Sequence, residues 1–412
     1  MSRISPRWLI AFAAGAGLWA LGAHALWSTT VPASLHLPHL SATRFFSARF
    51  LHRSADYERF LDVEAVLADL TVLLVLGLYA WRGHRFTRES AAGRIGTGML
   101  LGMLGFAFVW LAELPFGLVA LWWQRRYHVS HQGYLTSAID SFLSLGGQFL
   151  FISLALVVVM GIAGVARRWW WALAAPALVA LALLFAFVGP YLIPDTHPLH
   201  DRRLLAATRT LERSERVSNT EVLVQDVHRF TTAPNAESTG FGSTRTVILW
   251  DTLLDRRFDN AEVRAVIGHE LGHLAHHHIL KAIGWLALFL IPAAALIARL
   301  TRRRGGLASP ETVPIALFVL VALHLLTMPL RNVVSRRAEA EADWSALQAT
   351  REPAAARALF RKLSTSSLAH PDQPTWSYVL DASHPTIMQR IAMTYAWEAA
   401  AGERGRGSRR AR

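Results

Sequence analysis

Apolar residues in this chain come in long runs rather than narrow amphipathic stripes. A helix rises 1.5 Å per residue, so about 20 apolar residues cross the ~30 Å hydrocarbon core of a bilayer. Seven runs approach or exceed that length: 8–27, 63–81, 97–123, 139–165, 169–193, 279–300 and 313–330. They predict seven transmembrane helices enclosing a chamber. Arg167, Arg168 and three consecutive tryptophans open the fifth, an interfacial signature. The first has two readings. Arg3 and Arg7 precede it and Ala23-His24-Ala25 is like a cleavage site, so it is either a retained helix or a signal peptide. Asp69 and Glu113 interrupt the second and third runs. A membrane carboxylate is costly unless it is paired or meets water, so each either lines a hydrated cavity or is buried with a partner. His324, in the seventh run, reads as a satisfied polar residue.

Between and after these runs the pattern changes. Residues 28–59 are polar and aromatic. Residues 194–260 are polar. Within them 204–215 have helical periodicity, and 221–227 and 244–250 are β-branched, apolar or alternating, as strands are. The loop between the strands carries Pro234, Gly240 and Gly242. Asp259 and Glu262 form a capping-box pair that starts a helix with Val263, Val266, Ile267, Leu271 and Leu274 at near-helical spacing. Past 331 the sequence predicts helices through Asp343, over 353–367 and over 386–398. The expected division is a membrane segment 1–193, a catalytic segment 194–280 with a small sheet, spans 281–330, a second catalytic segment 331–401 and a basic disordered tail 402–412. The fold class is mainly α.

That capped helix contains His269-Glu270-Leu271-Gly272-His273, an H-E-x-x-H stretch. Residues four apart share a helix face, so both histidines can reach one metal ion. Glu270, rotated by about 100°, can reach a water beside it. Zinc needs a further protein ligand, and no cysteine exists to supply one. The best source is the segment from Ser335 to Asp343. Glu339 and Asp343 share a face, whereas Glu341 points about 200° away from Glu339. Glu339 is assigned to zinc and Asp343 to the other ring nitrogen of a ligand histidine. Taken alone, the segment also reads as a solvated acidic helix. Two spans separate the motifs, so all three ligands lie on one side of the membrane. His276, His277 and His278 point about 100° apart and are expected to form a hydrated interfacial turn.

Composition narrows the picture. The 412 residues are 53% hydrophobic with a net charge of +13. Arginines spread over loops and ends, without interleaved stacking aromatics, match a membrane surface rather than nucleic acid.

The motifs together resemble the type I CAAX prenyl protease family, membrane-embedded zinc metalloproteases with H-E-x-x-H, two membrane helices and then Ser-Arg-x-x-Glu-x-x-Ala-Asp. Asn235-Ala236 with Gly240, the stretch Leu249-Trp250-Asp251-Thr252-Leu253-Leu254, and Ser383-His384-Pro385 with Arg390-Ile391 extend the likeness, and 45–60 resemble the amphipathic segment that leads into the second span in that family. The resemblance implies a gluzincin-like zinc metalloendopeptidase with one Zn²⁺, held by His269, His273 and Glu339. Glu270 is the base, and His384 and Arg390 serve the active site from just before and inside a helix opened by Pro385. Asn235, Ala236 and Gly240 would align a peptide as an added strand. His278 recurs at its place in the family pattern. The implied substrate is a peptide or protein, which the family name extends to lipidated ones. The implied location is the bacterial inner membrane, with a retained first helix and a cytoplasmic catalytic domain. Other classes are a heat-shock-type membrane protease with fewer spans, a zinc-dependent transporter, which would not need Glu270, and a silent adaptor, which would tolerate its loss.

Overall fold

A computed structural model describes residues 6–86 and 93–410; Arg3 and the last two residues of the expected tail lie outside them. The helices of the N-terminal half are α1 (Pro6–Leu26), α2 (Ala48–Arg82), α3 (Gly93–Arg126), α4 (Tyr134–Ala166) and α5 (Trp170–Val188). A sheet of β1 (Thr196–Pro198), β2 (Glu221–Gln225), β3 (Ala236–Thr239) and β4 (Thr246–Trp250) follows, with α6 (Arg202–Glu215) between its first two strands. Then come α7 (Asn260–Ala275), α8 (His278–Thr301), α9 (Val313–Thr350), α10 (Pro353–Ser367), α11 (Thr375–Leu380) and α12 (Ile387–Arg410).

Among the described residues five helical stretches are long and apolar enough to cross a membrane, against the seven expected. One of the five is Tyr134–Leu192, 59 residues long, which at 1.5 Å per residue would run to about 90 Å as a single rod. It is two helices. Arg167 adopts φ 48° and breaks the ladder between α4 and α5, so the predicted fourth and fifth spans form one apolar stretch. The described apolar part of α1, Ala13–Leu26, falls short of a span. Large apolar side chains on the long helices face outward, among them Leu74, Leu143, Val165 and Leu326, as lipid contact requires and a water-facing surface would not favour.

Two further boundaries differ from expectation. The amphipathic segment and second span form one 35-residue helix, α2, whose N-cap Ser47 accepts from the Phe50 N–H. Likewise the seventh span and the acidic motif form one 38-residue helix, α9, with Pro329 inside it. Polarity changes along these helices but their period does not, so a hydropathy boundary is not a helix boundary. At the C-terminus α12 continues through Arg410 into the segment expected to be disordered; extending an existing helix needs no new nucleus.

Two cores result. Leu76, Tyr79, Leu101, Leu156, Met160, Trp170, Val313 and Leu317 pack among the long helices. Val247, Leu249, Leu253, Ile267, Leu271, Trp344, Phe360 and Ile391 pack the sheet, α7, α9, α10 and α12 together. The sheet order is β1-β2-β4-β3. β2 and β4 run parallel, and β3 lies antiparallel to β4 with Ala236 opposite Leu249 and Ser238 opposite Val247. β3 is thus an edge strand, where the sequence shows only a loop.

Candidate metal centre

α7 begins as its sequence predicts. Asp259 Oδ1 accepts from the N–H groups of Ala261 and Glu262 at 2.8 and 2.9 Å, and Glu262 Oε2 accepts from the Asp259 N–H at 2.8 Å. Glu262 also takes Lys362 Nζ at 2.7 Å, joining the helix start to α10. Gly272 lets α9 approach. A Cβ there would sit 3.1 Å from Ala342 Cα and from Ser345 Cβ, so a side chain would push the two helices apart. Because they touch, carboxylates on α9 reach imidazoles on α7.

His269, His273 and Glu339 converge. The two Nε2 atoms are 3.1 Å apart, Glu339 Oε2 is 3.2 Å from His269 Nε2, and Glu339 Oε1 is 3.5 Å from His273 Nε2. All three donor atoms lie within 4.8 Å of one another. Glu339 Oε2 is buried and has no hydrogen-bond partner. Two imidazole nitrogens and an orphaned buried carboxylate oxygen, aimed at one point, suit a divalent cation with borderline nitrogen and oxygen preferences.

Behind this set, His269 Nδ1 meets Asp343 Oδ1 at 2.8 Å. Arg390 in turn donates to Asp343 through Nε at 2.8 Å and Nη2 at 2.7 Å. Burial alone would raise the Asp343 pKa, but Arg390 and His269 outweigh it and hold it below the usual carboxylate range. Burial would lower His269, yet Asp343 and Glu339 push it up to about 10, whereas burial and the His269 charge bring His273 down to about 3.

Glu270 is buried, and its pKa is raised, first by burial, while a hydrogen bond with Ser238 of β3 opposes the rise. His384 Nε2 lies 3.4 Å from Glu339 Oε2, with its side chain 60% exposed; its Nδ1 is 3.0 Å from Ser383 Oγ. Pro385 precedes the helix rather than opening it. Thr386 and Gln389 exchange side-chain hydrogen bonds with each other's backbone N–H groups at 3.0 and 3.1 Å, so Thr386 caps α12.

The site lies where two cavities meet. One, of ≈ 1090 Å³, extends among the long helices to Phe151, Leu178, Phe289 and His324; the other, of ≈ 430 Å³, is lined by Val266, Leu363, Phe360 and Arg390. His269, Glu270, His384, Asn235 and Ala236 line both. Asp69 and Glu113 line neither of these two cavities. His324 is satisfied by Arg331, whose Nη2 lies 3.0 Å from its Nε2.

Gly240 also lines neither cavity. It has φ +74°, and a Cβ there would fall 1.9 Å from Thr244 O, so the tight turn after β3 demands glycine. The triple histidine is not a hydrated turn throughout. His277 is exposed at φ 55°, but His278 is 7% exposed and its Nδ1 lies 2.8 Å from His273 Nδ1. Sequence reasoning also missed Glu341 beside it, whose pKa is lowered because His278 and other donors outweigh its burial. The available signals were the recurrence of His278 in the family pattern and its i, i+5 spacing from His273 across a helix end. A second trio, Asp226, His228 and Asp251, is mostly exposed. Asp251 Oδ1 accepts from the N–H groups of Val227 and His228, each at 3.0 Å, which accounts for it as a loop tie.

Residues 198–398 match the model of peptidase family M48. An uncharacterized metalloprotease, YhfN of Bacillus subtilis, is 26% identical over 310 residues, 71% of this chain and 72% of its own. A CAAX prenyl protease 1 homolog of Arabidopsis thaliana is 24% identical over 384 residues, 85% of this chain and 87% of its own. The crystal structure of Ste24p from S. mikatae superposes with a TM-score of 0.69 at 16% identity, covering 94% of this chain and 98% of that one.

Proposed function

We propose that the chain is a zinc metalloendopeptidase of the HExxH, gluzincin type, a membrane member of peptidase family M48 acting on peptides or proteins. His269, His273 and Glu339 would hold one zinc ion. Zinc bound there supplies Lewis acidity, polarising a carbonyl and lowering the pKa of water from 15.7 towards about 7.

This chain's residues do the rest. β3 presents an unpaired edge, so a peptide adds there as a strand, its backbone held while most side chains go unread. Asn235 and Ala236, at the start of that edge and in both cavity walls, set the register. Glu270 accepts a proton from the attacking water and passes it to the leaving amine; its raised pKa suits both steps. His384, largely exposed beside Glu339, donates to the oxyanion that develops on the scissile carbonyl. Asp343 fixes the tautomer of His269, and Arg390 fixes Asp343.

The observation that carries this reading is the convergence of three donor atoms with Glu270 beside them at a cavity junction. The likeness to CAAX prenyl protease 1 homologues supports a catalytic domain on the cytoplasmic face and lipidated substrates, and the likeness to YhfN of Bacillus subtilis supports a bacterial inner membrane. The apolar ≈ 1090 Å³ cavity beside the site has room for a lipid chain. The test is cleavage of matched C-terminal peptides with and without a prenyl group, with the cut located by mass spectrometry. Faster cleavage of the prenylated peptide supports the lipidated class. Equal rates would leave a general membrane endopeptidase.

A further inference from the structure

The two histidines of the candidate site are held in different ways. His269 meets a carboxylate directly, through Nδ1 and Asp343. His273 does not. Its Nδ1 lies 2.8 Å from Nδ1 of His278, and His278 Nε2 lies 3.0 Å from Glu341 Oε2. Glu341 is 2% exposed. Its Oε2 also accepts from Lys281 Nζ at 3.1 Å, and its Oε1 accepts from the backbone N–H of Thr30. Lys281 donates in addition to Ser28 O at 3.2 Å. Three parts of the chain, the stretch after α1, the start of α8 and the middle of α9, thus meet at one buried carboxylate.

Proton positions follow from the partners. A histidine that offers Nε2 to a metal keeps its proton on Nδ1 and must donate it. His278 then accepts at Nδ1, carries its own proton on Nε2 and donates it to Glu341. Every polar atom in the chain of contacts has a role, and one tautomer of each ring satisfies them all.

We propose that Glu341, acting through His278, is the carboxylate that fixes the ring plane and tautomer of His273, and that residues 28–30 and Lys281 complete its shell. Both are positioning residues. The inference rests on the reading that His273 holds the metal. It gives the N-terminal stretch a role at the site, and it gives Glu341 a purpose distinct from that of Glu339, two residues away.

The test is zinc competition against a chromophoric chelator, using the full chain in detergent micelles. Glu341→Leu and His278→Phe should each weaken zinc by about 10–100-fold. Because they act in series, the double variant should lose no more than the worse single one. Cobalt loading should show shifted absorption bands in both single variants, since one ligand ring has turned. Glu341→Gln keeps an acceptor for His278 at nearly the same shape and should fall between; with His278→Asn it decides the matter should the larger changes fail to fold. Zinc affinity within twofold of wild type in the single variants, or losses that add in the double variant, would overturn the proposal. Wild-type protein that binds no zinc at all would instead overturn the metal reading beneath it.

Discussion

Arg390 grips Asp343 through two parallel hydrogen bonds, at 2.8 and 2.7 Å, and the same Asp343 Oδ1 takes the His269 contact at 2.8 Å. Two of the guanidinium's nitrogens are therefore committed to a carboxylate and not to substrate. The contact supports a positioning role, in which Arg390 acts on the candidate metal ligand at one remove. Arg390→Lys replaces a planar fork with a single point contact. Zinc affinity should fall by about 10–100-fold, and saturating zinc should restore most of the lost activity. Full zinc occupancy with abolished turnover would return Arg390 to the substrate.

His384 is the opposite case, largely exposed and close to Glu339. His384→Ala should retain zinc and lower kcat by roughly 10²–10³, the effect of losing one oxyanion donor, with KM little changed. Steady-state kinetics on zinc-loaded protein check this. Near-normal turnover would leave His384 as a residue that merely precedes the α12 cap.

Glu215 predicts a pH effect outside the membrane helices. Burial pushes its carboxyl up to about 7, against the opposing hydrogen bond from Ser345 Oγ at 2.6 Å, and its Oε1 is buried without a partner. The folded pKa lies above the ordinary 4.5, so the native state binds more protons between the two values. Its contribution to stability is then complete below about pH 4.5 and is lost as pH rises through about 7. Glu215→Gln should accordingly raise stability at pH 8, by on the order of 2 kcal/mol, with the gain vanishing near pH 4. Thermal unfolding across that range gives the answer; a loss of stability at pH 8 would show that the charged form is needed.

Much of this was legible in the sequence because it is local. The H-E-x-x-H spacing, the Asp259–Glu262 capping box and the four-residue step from Glu339 to Asp343 each follow from one helix's geometry. The approach of α7 to α9 was not legible, since it depends on Gly272 meeting Ala342 and Ser345 across 70 residues of chain. The buried His278 was hidden for a related reason. Consecutive histidines diverge on a continuous helix, but His277 at φ 55° ends one helix before His278 starts the next. β3 pairs with β4 through only four residues carrying a glutamate and a serine, too little for a strand pattern. The unbroken α2 and α9 escaped because hydropathy changes sign along them while the backbone does not.

The cavity among the long helices should hold water. The chain has no cysteine, so single introduced thiols report cleanly. Ala155→Cys and Ala182→Cys, in the cavity wall, should react with a small water-soluble thiol reagent, while Leu143→Cys, on an outward apolar face, should not. Protection of both wall positions in folded protein would show the cavity closed to solvent.

The central claim is that Glu270 performs the proton transfer at a metal held by its neighbours. The most direct measurement pairs metal content with peptidase rate in purified wild-type and Glu270→Gln protein. The account predicts one zinc per chain in both, with hydrolysis lost in the variant. Zinc-loaded Glu270→Gln protein that still cleaves peptide at the wild-type rate would contradict it.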